Sequence, residues 1–340
     1  MVRGDVLNLP HIFLSVWTAH RKKGHGRTMD RHSVQWRGYI PAITTPFTRD
    51  GALDFQAMER LLQWLADEGM HGIIIGGTQG EWFTIAPAER KQLMQLVGRR
   101  LHGKMPLIAG CSAYTAEEVA ANARLAAEHG FDGVLVTPPP YMVPTDREIL
   151  GFYREVNAAV SLPICAYNWP PGTNVDMSLE LLRSIAELSN VVAIKNSTSD
   201  LRHFIEVFFA LKDQVRVFGV PMNEVGIMLV QQHGADGTMG AGAVLGRELP
   251  DYFNAIWAGD LPRARQLGER NEILMRDWFN ADYTGRFGSG QAIFKAALNE
   301  LGLPGGYPRR PLLPLEEHGL SVVRRTLASL GKLDRKVSHG

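Results

Sequence analysis

Three short stretches of the chain carry side chains able to do chemistry on a carbonyl compound. Val191-Val192-Ala193-Ile194 is an apolar run closed by Lys195. An amine in such low-dielectric surroundings loses its proton more readily, because desolvation disfavours the ammonium. A neutral amine is the nucleophile that condenses with a ketone to give a Schiff base. Ile164-Cys165-Ala166-Tyr167-Asn168 ends similarly in a phenol, which can pass a proton along a hydrogen-bonded chain. Gly76-Gly77-Thr78-Gln79-Gly80-Glu81 follows a third apolar run. Its glycines let backbone approach a ligand, and consecutive N–H groups there can nest a carboxylate. The Thr78 hydroxyl can donate to that carboxylate or relay to Tyr167, whereas Glu81 reads as structural, tying loop N–H groups together. Taken singly, each stretch has a plain alternative: a lysine snorkelling to water, an aromatic of the core, a turn rich in glycine.

These residues need elements to position them, and the chain supplies a regular set. Short β-branched runs at 39–45, 72–76, 106–110, 133–137, 163–167, 191–195, 215–219 and 237–240 alternate with amphipathic, helix-length segments. Nearly continuous hydrophobic runs are expected of parallel strands buried on both faces. Asp54 predicts a helix N-cap and Gly69 its end, Pro87 a first helical position, and Thr115 with Glu118 and Thr145 with Glu148 two capping boxes. Eight βα units over about 220 residues fit a (β/α)8 TIM barrel, whose usual length is about 250 residues. An open doubly wound sheet would place a Gly-rich phosphate turn after its first strand; Thr44-Thr45-Pro46-Phe47 stands there instead. The α/β barrel spans 36–246, and 247–340 holds its last helix and a C-terminal helical appendage. In such a barrel, Lys195, Tyr167 and Thr78 all sit where strands end and βα loops begin, the catalytic face.

Composition narrows the class further. Hydrophobic residues make up 45% and charged residues 21%, a globular balance, and 36 basic against 35 acidic residues leave a net charge of +1. That is no electrostatic footprint for nucleic acid. No apolar run nears the roughly 20 residues that span a bilayer, and two cysteines, Cys111 and Cys165, suit a reducing cytoplasm rather than a disulfide framework. Cys165, two residues before Tyr167 in one strand, reads as barrel packing. His71, His129, His203 and His233 lack metal-ligand spacing, and neither a P-loop nor a dinucleotide fingerprint is present. Residues 1–35 are aperiodic, with a basic cluster from Arg21 to His32; the order of charge and apolar patch is wrong for a secretory signal. They read as a disordered extension with Met29 the natural beginning, the alternative being a basic arm for nucleic acid or membrane.

Together the amine, phenol and N–H loop make a site for a small 2-keto acid, and here the chain resembles the dihydrodipicolinate synthase / N-acetylneuraminate lyase family. The resemblance rests on Gly77-Thr78-Gln79-Gly80-Glu81, Tyr167-Asn168-Trp169-Pro170 and Ile194-Lys195-Asn196-Ser197-Thr198. Thr45-Pro46, Gly234-Ala235-Asp236-Gly237, Lys295-Ala296-Ala297-Leu298 and Pro311-Leu312-Leu313-Pro314 support it. It implies a class I lyase, an aldolase or dehydratase. Lys195 would form an imine with pyruvate or a 2-keto(-3-deoxy) acid, Tyr167 would move protons, and Thr78 would link Tyr167 to outer donors. It places the substrate against Gly77, Thr78, Gln79 and Gly219, with no metal, no PLP and no other cofactor. It further implies a homotetramer, a dimer of dimers, with Tyr141 the candidate for a tyrosine lent to a neighbouring subunit.

The chain departs from the synthases at Gly172, where they carry an arginine for the carboxylate of the incoming aldehyde. Losing that bidentate clamp argues against aspartate semialdehyde. Gln79 replaces a threonine or serine, and Trp82 and Trp169 add bulk and N–H donors to the expected pocket rim. Indole faces and amides suit polyhydroxy chains, so a sugar-acid-derived keto acid is the expected substrate. Arg286 reads as a surface arginine rather than a carboxylate ligand. Dihydrodipicolinate synthesis proper is the alternative reaction, and a non-catalytic metabolite-binding barrel the alternative of another class.

Overall fold

The computed structural model describes residues 28–333. Eight parallel strands form one sheet: β1 (Gly38–Tyr39), β2 (Ile73–Ile75), β3 (Leu107–Gly110), β4 (Gly133–Val136), β5 (Ile164–Asn168), β6 (Val191–Asn196), β7 (Arg216–Phe218) and β8 (Gly237–Thr238). They run in the order β1-β8-β7-β6-β5-β4-β3-β2. A parallel bridge between Ala42 and Ile74 brings the two ends together, with the Ile43 N–H donating to the Ile74 carbonyl at 3.0 Å. The result is a closed (β/α)8 barrel. β1 is shorter than the expected 39–45 run because Pro41 has no N–H for the ladder; beyond it only the bridge at Ala42 remains.

Around the barrel lie α1 (Phe55–Asp67), α2 (Pro87–Leu101), α3 (Ala116–Glu128), α4 (Asp146–Ala159), a one-turn α5 (Pro170–Thr173), α6 (Leu179–Ala186), α7 (Leu201–Leu211), α8 (Glu224–His233) and α9 (Glu248–Ala258). The capping signals decide their starts. The Asp54 carboxylate accepts the Ala57 N–H at 2.8 Å, Pro87 opens α2, and Thr145 with Glu148 closes a full capping box. Thr115 caps α3, but Glu118 reaches the N–H of Tyr114, one residue short of a reciprocal box. Beyond the barrel, α10 (Leu261–Trp278), α11 (Gly290–Glu300) and α12 (Glu317–Ser329) form the C-terminal appendage.

Strand alternation divides the apolar residues into two cores. One set faces outward to the helices. The other fills the barrel: Ile40, Ala42, Ile74, Ile108, Leu135, Cys165, Tyr167, Ala193, Phe218 and Met239, with Trp36 closing the bottom. Trp36 lies so close to Gly133 that a Cβ there would stand 2.4 Å from the indole. Residues ahead of β1 are tied down below the barrel: the Met29 N–H donates to the Ser189 carbonyl at 2.7 Å, and Arg31 and Arg216 share the Asp236 carboxylate. The expected disordered extension ran to residue 35; residues 1–27 of it lie outside the described residues, and 28–35 are instead the segment held against the barrel. Among those described, no helix is long and apolar enough to cross a membrane.

Candidate active site

The ends of β5 and β6 set the centre of the site. Their register pairs Tyr167 directly with Lys195, so both side chains point into the barrel from adjacent strands at one level. Lys195 Nζ stands 4.0 Å from the centre of the Tyr167 ring. The lysine is 5% exposed and, among the described residues, has no carboxylate partner. Burial pulls its pKa down to about 8, the Cys165 sulfur pulling weakly the other way. At neutral pH a substantial minority of such an amine is unprotonated and nucleophilic.

Tyr167 is also buried, and desolvation raises its pKa above the ordinary phenol value. The hydroxyls of Ser197 and Thr78, placed to hydrogen-bond with the phenol, pull it back. The phenol therefore stays protonated at neutral pH, with the Thr78 and Ser197 side chains lining the cavity beside it. Ser197 was not among the expected site residues. Its signal was period two: it lies two positions beyond Lys195 and returns to the same side of the chain. Thr78 belongs to a loop held from several directions. Gln291 donates to the Thr78 carbonyl at 2.9 Å, Thr45 to the Gly80 carbonyl at 2.9 Å, and Arg90 to the carbonyls of Gly110 and Trp82. Glu81 adopts a left-handed conformation (φ 57°) and is fully buried in an ion pair with Lys295. It also accepts the Arg309 N–H at 2.8 Å. It thus ties the loop to the C-terminal segment rather than to its own N–H groups. Among the described residues, the N–H groups of Thr78 and Gln79 meet no protein acceptor and are left for a ligand.

The cavity above Lys195 measures about 330 Å³. Thr78, Gln79, Tyr167, Lys195 and Gly219 line it, as expected, and Trp169 joins them. At Gly219 (φ 125°) a Cβ would lie 2.2 Å from the Asn196 carbonyl, so only glycine passes there. Two expected lining residues, Gly77 and Trp82, fall elsewhere, and Tyr141 and Arg286 also lie outside the cavity. Gly77 underlies the loop without lining the cavity, its Cβ position facing Ile74. Trp82 packs with Phe83 and Tyr114 away from the cavity. Tyr141 is 94% exposed on the loop after β4 and does not enter the site of its own chain. Arg286 is exposed and donates to the Arg276 carbonyl, a surface arginine as read. The contribution of α10 and its following loop, through Met275 and Phe279, had no sequence signal: an amphipathic helix does not announce what it packs over.

Gly172 lies beneath Trp169. A Cβ at 172 would stand 2.4 Å from the indole Cδ1 and 2.5 Å from Nε1. The indole in turn stacks on Tyr167, with centroids 6.2 Å apart and planes at 24°. The space that the stem of an arginine at 172 would need is occupied by the Trp169 indole.

A barrel holding a buried, unpaired amine against a phenol, with a free N–H loop alongside, has the make-up of a Schiff-base-forming lyase. Comparison with known proteins agrees. Residues 35–330 match the profile of the dihydrodipicolinate synthetase family. A 4-hydroxy-tetrahydrodipicolinate synthase of Phenylobacterium zucineum is 32% identical over 298 residues, 87% of this chain and 98% of that protein. An uncharacterized DapA-like lyase of Rhizobium meliloti is 29% identical over 300 residues, covering 87% of this chain and 97% of that protein. The crystal structure of a chloride-inhibited dihydrodipicolinate synthase from Acinetobacter baumannii complexed with pyruvate superposes with a TM-score of 0.78 at 28% identity, covering 88% of this chain and all of that one. The chain belongs to the dihydrodipicolinate synthetase family and is a lyase.

Proposed function

We propose that Lys195 attacks the C2 carbonyl of pyruvate or a related 2-keto acid. The N–C bond forms, the carbonyl oxygen leaves as water, and a C=N bond to the enzyme remains. Tyr167 supplies the protons that let the oxygen depart and takes them back from the substrate, with Thr78 and Ser197 carrying them to and from solvent. The free N–H groups of Thr78 and Gln79 hold the substrate carboxylate. The imine serves as the electron sink for breaking or making a bond at the β or γ carbon, so no metal, PLP or other cofactor is needed. The observation that carries this reading is the buried amine of Lys195, without a carboxylate and 4.0 Å from the Tyr167 ring centre.

A homotetramer fits the loop after β4. Tyr141, Met142 and Val143 are all exposed, and Tyr141 (φ 81°) and Val143 (φ 48°) hold left-handed backbone, strain that a neighbouring subunit would justify. Two buried, unpaired cysteines suit a reducing cytoplasm. Condensation of pyruvate with aspartate semialdehyde is the second reading, favoured by the names of several relatives. Trp169 over Gly172 opposes it.

The test is intact-protein mass after pyruvate and borohydride, with the labelled peptide mapped. A reduced adduct on the peptide containing Lys195 is expected; no adduct with pyruvate or any longer keto acid would leave a barrel that binds without condensing.

A further inference from the structure

Resting on that reading, the part of the cavity beyond Lys195 has a chemistry of its own. Toward α8, α9 and α10 its wall is built of Met222, Met239, Val244, Leu249, Met275 and Phe279. All but Met275 are buried. Its volume suits a ligand larger than a three-carbon keto acid. Among the described residues, no cationic side chain apart from Lys195 lines it, and Glu272 is the one carboxylate that does. A second substrate carboxylate would meet no counter-charge there, and burying it unpaired is prohibitive.

Some of the polar groups of the lining beyond Lys195 are already engaged. The Tyr39 hydroxyl donates to the Gly242 carbonyl at 3.1 Å, and the Thr238 hydroxyl donates to the Val220 carbonyl. The Asn223 side-chain oxygen accepts the N–H groups of Val225 and Gly226, while its side-chain NH2 donates to Glu272 at 3.0 Å. Two buried groups of the lining have no protein partner, the side-chain amide oxygen of Gln79 and the side-chain amide nitrogen of Asn196.

We propose that this chamber takes an uncharged, apolar substituent, alkyl or aryl, carried by the substrate beyond C4. The enzyme's 2-keto acid then has one carboxylate, held at the Thr78–Gln79 loop, and a hydrophobic tail directed at α10. Burial of the tail supplies the binding that a clamp on a second carboxylate supplies elsewhere. A polyhydroxy keto acid is the competing occupant: Trp169 lines the cavity, whereas Trp82, the other indole behind the sugar-acid expectation, packs outside it.

The experiment is borohydride trapping on the full chain with a matched set of keto acids: pyruvate, 4-phenyl-2-oxobutanoate, 2-oxooctanoate, 2-oxoadipate and 2-keto-3-deoxygluconate. Trapping reads imine formation and needs no turnover. The two apolar keto acids should half-saturate labelling at concentrations about tenfold or more below those of the charged and polyhydroxy ones. Equal or tighter capture of 2-oxoadipate or 2-keto-3-deoxygluconate, with pyruvate still labelling Lys195, overturns the apolar chamber and leaves the lysine chemistry standing. No label from any of the five removes the lysine chemistry, and this inference with it. Met275→Arg places a cation at the partly exposed edge of the chamber and should shrink the gap between 2-oxooctanoate and 2-oxoadipate. An unchanged gap in a folded Met275→Arg protein would mean the tail lies elsewhere.

Discussion

Two buried lysines lie on either side of the Thr78–Gln79 loop, and they teach opposite lessons. Lys195 and Lys295 are both nearly inaccessible, both sit over an aromatic ring (Tyr167 at 4.0 Å, Phe47 at 4.5 Å), and burial pulls both pKa values down to about 8. Their partners differ. Lys295 is fixed by the Glu81 carboxylate and by the Tyr307 carbonyl at 2.8 Å. Lys195 has no acid. A buried amine with a complete set of partners is a structural tie; one without them is available for chemistry, and the fold bears the cost of holding it.

The comparison breaks most sharply at Lys195. Lys195→Met should abolish borohydride-trapped adduct and turnover while leaving a folded barrel; a retained adduct would move the nucleophile elsewhere. The same variant should be more stable than the parent at pH 7. The lysine titrates near 8 when folded and near 10.5 when unfolded, so below pH 8 the folded state carries the full penalty of a buried ammonium. A shift of that size corresponds to roughly 3 kcal/mol. The penalty shrinks as pH rises from 8 to 10.5, so denaturation curves of parent and variant should converge through that window. Parallel curves would show that Lys195 is not desolvated. The Tyr167 phenol comes next: Tyr167→Phe removes the proton carrier but keeps the ring beneath the amine, and turnover should fall by about 10²–10⁴-fold. A wild-type rate would pass its role to Ser197 or Thr78.

Lys295→Met sharpens the other half. Glu81 would be left fully buried without a counter-charge, which typically costs about 3–5 kcal/mol. Replacing both partners, Glu81→Gln with Lys295→Met, should recover much of that loss, because no charge is then stranded. Chemical denaturation of the two single variants and the double variant checks this. Equal losses in all three would mean that the loop depends on the ion pair itself. The stability changes of Lys195→Met and Lys295→Met should have opposite signs at pH 7, although the two amines share a lowered pKa.

How much of this was legible in the sequence follows from how local each cause is. Lys195 and Tyr167 were readable because each ends an apolar run, and a barrel sends strand ends to one face. The strand pattern gave all eight positions, missing only the early break that Pro41 imposes on β1. Ser197 was present within a matching motif but not read for its side, although period two would have shown it. The Glu81–Lys295 pair joins residues 214 positions apart, so no spacing rule links them. The α10 wall of the chamber depends on where the appendage docks, which follows from tertiary packing. Gly172 was read only as a lost charge. That Trp169 occupies the space was not readable, because the direction of an indole is set by its neighbours.

Gly172→Arg gives the smallest expected effect and the most specific test of that last point. A side chain at 172 must displace the Trp169 ring, since its Cβ would lie 2.4 Å from Cδ1, and overpacking of this kind costs about 1–3 kcal/mol. Gly172→Arg alone should therefore be destabilised and gain no capacity for a carboxylated aldehyde, because the guanidinium enters a site still filled by indole. Trp169→Ala with Gly172→Arg should lose less stability than the sum of the two single changes and should newly accept a second carboxylate. Strict additivity in the double variant would separate the glycine from the tryptophan. The absent arginine would then be a simple loss, not one half of an exchange of charge recognition for apolar surface.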